Sequence, residues 1–324
     1  MGALIVVGNG PEVLGICSGG FLLDAAYTPQ RLSELAKTDG AIILADDASA
    51  ISRANVHLVP NPNTPTTETG TRHRTAERVA RSIGVPVISI SERMAVVTVY
   101  IDDQKHQIDP IPAILSRSNQ ALQTLERYKH RLTDVAGHLA TAEVEDLVTA
   151  GDVITLLQQT EVVVRVAEEI DRYLVELGTD GRLIRLQLQE LMVGVEDDRR
   201  LVVRDYFQPD ASWDLEKAMA TLGDLELEDL LDAEKVAEAL HLAGGANDVA
   251  NSLQPRGYRM LSKVQRLAQT NIDSIVERFG TLDRILRASV DDLMAVEGID
   301  EPAAKNIKEA LSRIAESSIL DRYS

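Results

Sequence analysis

The stretch Gly70-Thr71-Arg72-His73-Arg74-Thr75-Ala76-Glu77 places a glycine, two hydroxyls, two arginines and a histidine within six residues, then enters a helical pattern at Arg78-Val79-Ala80. Groups of that kind at a helix N-terminus suit a polyphosphate. The unpaired backbone N–H groups and the positive end of the helix dipole attract anions. The planar guanidinium forks of Arg72 and Arg74 can grip phosphate oxygens in pairs. His73, flanked by two arginines, is expected to sit neutral and donate a hydrogen bond to phosphate. A solvated helix start reads almost the same on these residues alone, so the ligand stays open here.

A second stretch, Lys37-Thr38-Asp39-Gly40-Ala41-Ile42-Ile43-Leu44, sets a carboxylate in front of an apolar run. One reading is an Asp-Gly turn entering a strand. The other is that Asp39 holds a hard cation such as magnesium, which prefers oxygen ligands, or accepts a proton at the mouth of the sheet. Ser91, just after another strand pattern, either caps or reaches a ligand.

The elements that must position these groups are short. Ala3–Val7, Ala41–Ala45, Val85–Ile90 and Val96–Ile101 read as strands, the last two rich in β-branched residues. Pro29–Thr38 and Thr75–Ile83 read as helices. Pro60, Pro62 and Pro65, among several threonines, make an irregular loop leading to Gly70. Residues 1–115 are therefore expected to form an α/β domain, a mixed sheet with flanking helices. Beyond Pro110 and Pro112, Leu115, Leu122, Leu125, Leu132, Val135 and Leu139 recur at helical spacing, and no proline interrupts the pattern up to Gly178. Gly178-Thr179-Asp180-Gly181 is a turn, Arg182–Val193 a further helix, and residues 116–250 an all-helical spine.

The 324 residues suffice for two or three domains with a buried core. The single cysteine, Cys17, forms no internal disulfide and points to a reducing, cytoplasmic setting. The six histidines show no zinc-site spacing, and no apolar run approaches a membrane span of roughly 20 residues. The net charge of −18 is uneven: residues 118–250 carry 28 acidic against 12 basic side chains, whereas 251–324 carry 11 of each. The ends of the chain are thus free to meet anions, and the acidic middle reads as a solvated face.

In the last segment Arg256, Arg259, Lys263 and Arg266 fall at i, i+3, i+7 and i+10, a positive stripe if one helix carries them all. That stripe is either a solvated face or a surface for DNA phosphates. From Leu293 the chain runs through Gly298-Ile299-Asp300-Glu301-Pro302 to Lys305 and Lys308, two helices about a tight glycine turn. The pattern is that of a helix-hairpin-helix, whose turn amides around Gly298 contact DNA phosphate largely independently of sequence, with Lys305 and Lys308 nearby. Residues 251–324 are accordingly expected to be a helix-hairpin-helix DNA-binding domain.

Asp39-Gly40-Ala41 followed some thirty residues later by Arg72-His73-Arg74 resembles the paired motifs of diadenylate cyclase domains. Cys17-Ser18-Gly19-Gly20-Phe21, Asp180-Gly181-Arg182-Leu183-Ile184, the helical spine and the terminal hairpin extend the resemblance over essentially the whole chain. The resemblance implies condensation of two ATP molecules to cyclic di-AMP and pyrophosphate, with two cyclase domains face to face, each holding one ATP. By motif position, Asp39 would bind Mg2+ (or Mn2+) and help activate the attacking hydroxyl, and Gly40 and Ala41 would shape the ribose site. Arg72, His73 and Arg74 would hold phosphates with Gly70, Thr71, Thr75 and Ser91, while Leu58 would line the adenine side. It also implies a homo-octamer, and control of the cyclase by branched double-stranded DNA in DNA-damage checkpoint sensing. Relatives carry a helical segment before the first strand, whereas this chain starts at the strand, and Asp300 replaces the second glycine of the usual hairpin turn. The competing expectation is a DNA-junction-binding scaffold whose N-terminal domain binds nucleotide without turning it over.

Overall fold

The computed structural model describes residues 2–92, 96–208, 214–242 and 250–321, with side chains to residue 317. It divides into two compact units, Met1–Ser116 and Arg117–Ser324.

The first unit is built on eight strands: β1 (Ala3–Val7), β2 (Cys17–Ser18), β3 (Phe21–Ala26), β4 (Ala41–Leu44), β5 (Ala50–Leu58), β6 (Val87–Ser91), β7 (Val96–Ile101) and β8 (Gln104–Ile108). They run in the order β2-β5-β4-β1-β6-β7-β8, with β3 also on β5. The central pair β1/β4 is parallel, Ile5 opposite Ile42, while β1/β6 and β4/β5 are antiparallel, so the sheet is mixed. Side chains alternate across β1. Leu4 and Val6 pack with Ala76, Val79 and Ala80 of helix α3, whereas Ala3 and Ile5 pack on the other face with Ala36, Leu44 and Ile51. Covering both faces is what demands an unbroken apolar strand. The helices are α1 (Pro11–Gly15), α2 (Pro29–Leu35) and α3 (Thr71–Ile83).

The mixed sheet with flanking helices is as expected from the sequence, and β1 and β7 have the expected limits. Four strands were not legible. β5 carries Arg53, Asn55 and His57 among its apolar residues, and β8 is polar and almost wholly exposed. Helix α3 begins at Thr71, one turn earlier than Thr75, which brings both arginines and His73 into its first turn.

In the second unit the helical region up to Gly178 consists of two helices. Helix α4 (Ile111–Glu145) stops where Asp146 takes a left-handed φ of 56°. Helix α5 (Ala150–Leu177) restarts behind a reciprocal cap between Thr149 and Asp152. A 3-10 turn at Gly178–Gly181 leads to α6 (Arg182–Met192), α7 (Val195–Tyr206), α8 (Leu215–Asp224), α9 (Leu227–Leu230) and α10 (Ala233–Ala239). Five more helices follow: α11 (Tyr258–Ser262), α12 (Gln269–Phe279), α13 (Leu282–Arg287), α14 (Val290–Met294) and α15 (Glu301–Asp321).

These last helices contain a repeat that the residue types hide. Leu261, Val264, Leu267, Ile272 and Ile275 correspond to Leu293, Val296, Ile299, Ala304 and Ile307, each pair 32 positions apart, and all pack in one core. At the same offset Arg266 and Gly298 both have positive φ, 63° and 85°. The turns are cross-linked: the Asn271 amide donates to Gly298 O at 3.3 Å and the Asn306 amide to Gln265 O at 3.0 Å.

Candidate active site

Helix α3 starts at a bare glycine. Gly70 is its N-cap with extended φ, no side chain closes the end, and the first intrahelical bond runs from Arg74 N to Gly70 O. The amides of residues 71–73 therefore have no partner within the helix, which leaves a donor cluster at the positive end of the dipole. The Pro/Thr-rich loop before it is fastened from behind. Glu77 accepts from Thr66 Oγ1, from Thr67 N at 2.9 Å and from Thr67 Oγ1 at 3.2 Å, while Arg78 and Arg81 donate to the carbonyls of Thr64 and Pro65. Burial works against the ionised form of Glu77, but the Thr66 and Thr67 bonds and nearby Arg81 outweigh it and hold its carboxyl below the usual range.

Asp39 sits in the turn before β4, fully exposed, with Oδ1 3.9 Å from Arg72 Nη2. Gly40 beside it allows a close approach that no other residue could make. A Cβ there would lie 2.3 Å from the carbonyl carbon of Asn55 and 2.6 Å from Val56 N. Asn55 answers with a left-handed φ of 56°, where the β4/β5 register shifts. Asp39 is thereby carried to the mouth of the sheet next to the start of α3.

Two adjoining cavities share Asp39, Thr71 and Arg72. One, of about 310 Å³, is lined also by Gly40, Ala41, Leu58 and Thr75. The other, of about 710 Å³, is lined also by Gly70, His73 and Ser91. Ten of the eleven residues singled out for a nucleotide thus meet on one surface, while Arg74 is exposed and lines neither cavity. Sequence reasoning missed Asn55, Val56 and His57, which line the first cavity, and Glu92, which lines the second.

His73, although in the first turn of the helix, is a buried ring. It is 9% exposed, its Nδ1 lies 3.0 Å from Tyr100 Oη, and Tyr100 in turn donates to Glu68 Oε1 at 2.9 Å. Lys105 closes the chain with an ion pair to Glu68. Burial and then the Glu68 bond push the Tyr100 hydroxyl well above its ordinary value. Glu68 goes the other way: burial opposes its charge, but the Lys105 and Tyr100 bonds prevail and lower its pKa.

No cluster of three or more His, Cys, Asp or Glu side chains able to hold a metal occurs among the described residues. The lone, fully exposed Asp39 carboxylate still fits magnesium, which keeps several waters and takes one or two carboxylates plus substrate phosphates.

The basic stripe expected for DNA does not exist. Helix α11 is only five residues long, so Lys263 and Arg266 lie beyond its end. Arg259 is 3% exposed and forked onto the buried Glu143 carboxylate at 2.7–3.2 Å. Arg256 donates to the carbonyls of Arg204 and Phe207 at 2.8 and 2.7 Å. Both arginines serve the fold, because buried carbonyls and carboxylates need donors more than the surface needs charge. Lys308 likewise donates to the carbonyls of Leu286 and Ala288 at 2.6 Å each. Lys305 is exposed and paired with Glu301 at 2.6 Å, and Gly298 holds the left-handed turn. Asp300 needs no left-handed backbone: it caps α15 by accepting from Ala303 N at 2.9 Å.

A mixed sheet that carries an uncapped, arginine-rich helix start beside an exposed carboxylate is a nucleotide-binding arrangement. Residues 1–105 match the family described as DisA bacterial checkpoint controller nucleotide-binding, and residues 108–249 match the DisA bacterial checkpoint controller linker region. DNA integrity scanning protein DisA of Parafrankia sp. is 52% identical over 323 residues, covering 99% of this chain and 90% of that protein. Its namesake from Streptomyces coelicolor is 51% identical over 325 residues, covering 99% and 87%. The chain belongs to the DNA integrity scanning protein DisA family. Among solved structures, a double mutant of DacA from Staphylococcus aureus is 20% identical over 34% of this chain and 76% of that one, with a TM-score of 0.28, too small an overlap to carry an argument. No helix among the described residues is long and apolar enough to cross a membrane.

Proposed function

We propose that the chain is a diadenylate cyclase, a nucleotidyltransferase that joins two ATP molecules into cyclic di-AMP across two facing copies of its N-terminal unit. The observation that carries this is the convergence of Asp39 and the Thr71–Arg74 helix start on one open surface. Each ATP lies on one copy, and its 3′-hydroxyl oxygen attacks the α-phosphorus of the other. Two P–O bonds form, two break, and two pyrophosphates leave with the charge that the arginines and helix amides offset. Catalysis of this kind is mostly positioning and charge stabilisation. Arg72, His73 and Thr71 receive the phosphates with Thr75 and Ser91, and Arg74 reaches them from the rim. Gly40 and Ala41 leave room for the ribose, and Leu58 backs the adenine. Asp39 would hold the cation, Mg2+ or Mn2+, and draws the proton from the attacking hydroxyl. Such a cation would supply neutralisation of phosphate charge. The full exposure of Asp39 supports a half-site that a second copy completes, and a homo-octamer would supply four such pairs.

The terminal hairpins, expected as the helix-hairpin-helix domain 251–324 behind the spine 116–250, serve as the DNA reader in this proposal. The positive-φ turns at Arg266 and Gly298 present backbone amides, and Lys263, Arg266 and Lys305 are the charges left for phosphate once Arg256, Arg259 and Lys308 are assigned to the fold. Branched double-stranded DNA bound there restrains the cyclase as a report of DNA integrity.

The test is incubation with ATP and magnesium or manganese, reading cyclic di-AMP by chromatography with and without a four-way junction. Wild type is expected to make the product and Asp39→Asn to abolish it. No product with either metal would overturn the enzyme reading. If junction binding persisted in that case, the inactive-scaffold alternative would stand.

A further inference from the structure

The histidine of the helix start is held by a chain of hydrogen bonds whose directions are fixed from one end. Glu68 is ionised, since Lys105 and Tyr100 favour its charge, so it can only accept. Tyr100 must then spend its single proton on Glu68 Oε1, at 2.9 Å. Its oxygen is left to accept, and the atom opposite, 3.0 Å away, is His73 Nδ1. Nδ1 therefore carries a proton. A neutral imidazole has only one, so Nε2 of the neutral ring is a bare lone pair. That atom is buried and has no partner among the described residues, although the ring lines the cavity it shares with Arg72 and Ser91. A buried polar atom left unpaired at such a place is a position for a ligand.

We infer that Tyr100 and Glu68 are positioning residues that lock the His73 ring as the Nδ1–H tautomer, so that Nε2 can donate to a nucleotide phosphate only when the ring is doubly protonated. This rests on the reading of the α3 start as a phosphate site. It reverses the expectation from sequence, in which a neutral His73 donates. With the ring neutral, its lone pair confronts phosphate oxygens and repels them. With the ring charged, a charge-assisted N–H meets them and the Tyr100 bond is kept. The surrounding charges are Arg72 and Arg74 on the same helix and Glu77 one turn along. Glu68 and Lys105 stand beyond Tyr100, and Asp39 and Glu92 line the same cavity.

The test uses the full chain labelled with 15N-histidine, and 3′-deoxy-ATP as a probe that lacks the attacking hydroxyl, so that binding is read without turnover. In wild type the ring nitrogens of His73, assigned with His73→Gln, are expected to show the Nδ1–H form whenever the ring is neutral. Affinity for the probe should fall about tenfold or more, the size of one charge-assisted hydrogen bond, as rising pH takes the second proton from the ring, followed in the same nitrogen shifts. Tyr100→Phe removes the acceptor while keeping the ring's shape. Its neutral His73 should move the proton to Nε2, and the fall with pH should flatten. Glu68→Gln frees the tyrosine proton to turn toward Nδ1 and should give the same tautomer change. A merely structural role would lower affinity equally at every pH and leave the tautomer unaltered, and that result overturns the inference. An Nε2–H ring in the wild type overturns it too, whether or not the probe binds. Failure of the probe to bind at any pH strikes the phosphate-site reading instead, and the nitrogen shifts still decide the relay.

Discussion

Gly40→Ala is the perturbation whose consequence the geometry fixes most tightly. The added carbon would stand 2.3 Å from Asn55 C, 2.4 Å from Asn55 Cα and 2.6 Å from Val56 N, all backbone atoms, where ordinary contact begins at 3.4 Å. No rotamer change relieves such a clash, so β5 must retreat from the 39–40 turn by about 1 Å. Overpacking costs about 1–3 kcal/mol, and backbone paired in a central sheet puts this case at the upper end. The same shift moves Asp39 relative to Arg72, and a displacement of about 1 Å at a reacting centre can cost roughly 100-fold in rate. Urea unfolding should therefore show about 3 kcal/mol lost. Cyclic di-AMP formation, measured where the variant remains folded, should drop by about two orders of magnitude. Gly137→Ala is the control: its Cβ meets nothing within 4 Å, and replacing a mid-helix glycine should add about 1 kcal/mol without touching the rate. A Gly40→Ala variant with wild-type midpoint and wild-type rate would refute the close approach.

Breaking the buried Arg259–Glu143 pair with Arg259→Met should cost about 3–5 kcal/mol in urea unfolding, because an uncompensated carboxylate is left inside, and 0.5 M salt should not change that loss. Lys305→Gln should weaken junction binding and lower the slope of log affinity against log salt by about one without altering the melting temperature, whereas Lys308→Met should lower the melting temperature. The two units should also answer pH oppositely. Glu77 has a folded pKa below its unfolded value, so the first unit loses stability as pH falls through the acid range, and Glu77→Gln should remove that part of the slope. Burial and the neighbouring Glu143 push Asp205 up to about 7, above its unfolded value, so the second unit loses stability as pH rises from about 4 to 7; thermal melts of Asp205→Asn should lack that decline.

Much of the first unit was legible because its central elements are locally consistent. Ala3–Val7 could be read as a strand since an apolar run covered on both faces leaves nothing else to be, and the Gly70–Thr75 cluster marked a helix start by its own chemistry. The strands that escaped were those whose burial is set by neighbours. β5 is held between β4 and β3 despite Arg53 and His57, and β8 is a polar edge. In the second unit the hydrophobic spacing along α4 was sound, but the break at Asp146 depends on one left-handed residue and a two-residue cap.

The sequence by itself determined which chemical groups the candidate site could offer, because Asp39, Arg72, His73 and Arg74 need no neighbours to be a carboxylate, two cations and an imidazole. The tertiary structure decided what those groups are free to do. Folding spent Arg256, Arg259 and Lys308 on buried acceptors, since an unpaired carbonyl or carboxylate inside costs more than a surface charge gains. It also set Tyr100, 27 residues away in the chain, 3.0 Å from His73 Nδ1, the contact on which the inferred tautomer rests. Spacing along a chain carries no trace of that contact, because hydrogen-bond direction belongs to groups brought together only when the sheet closes on α3.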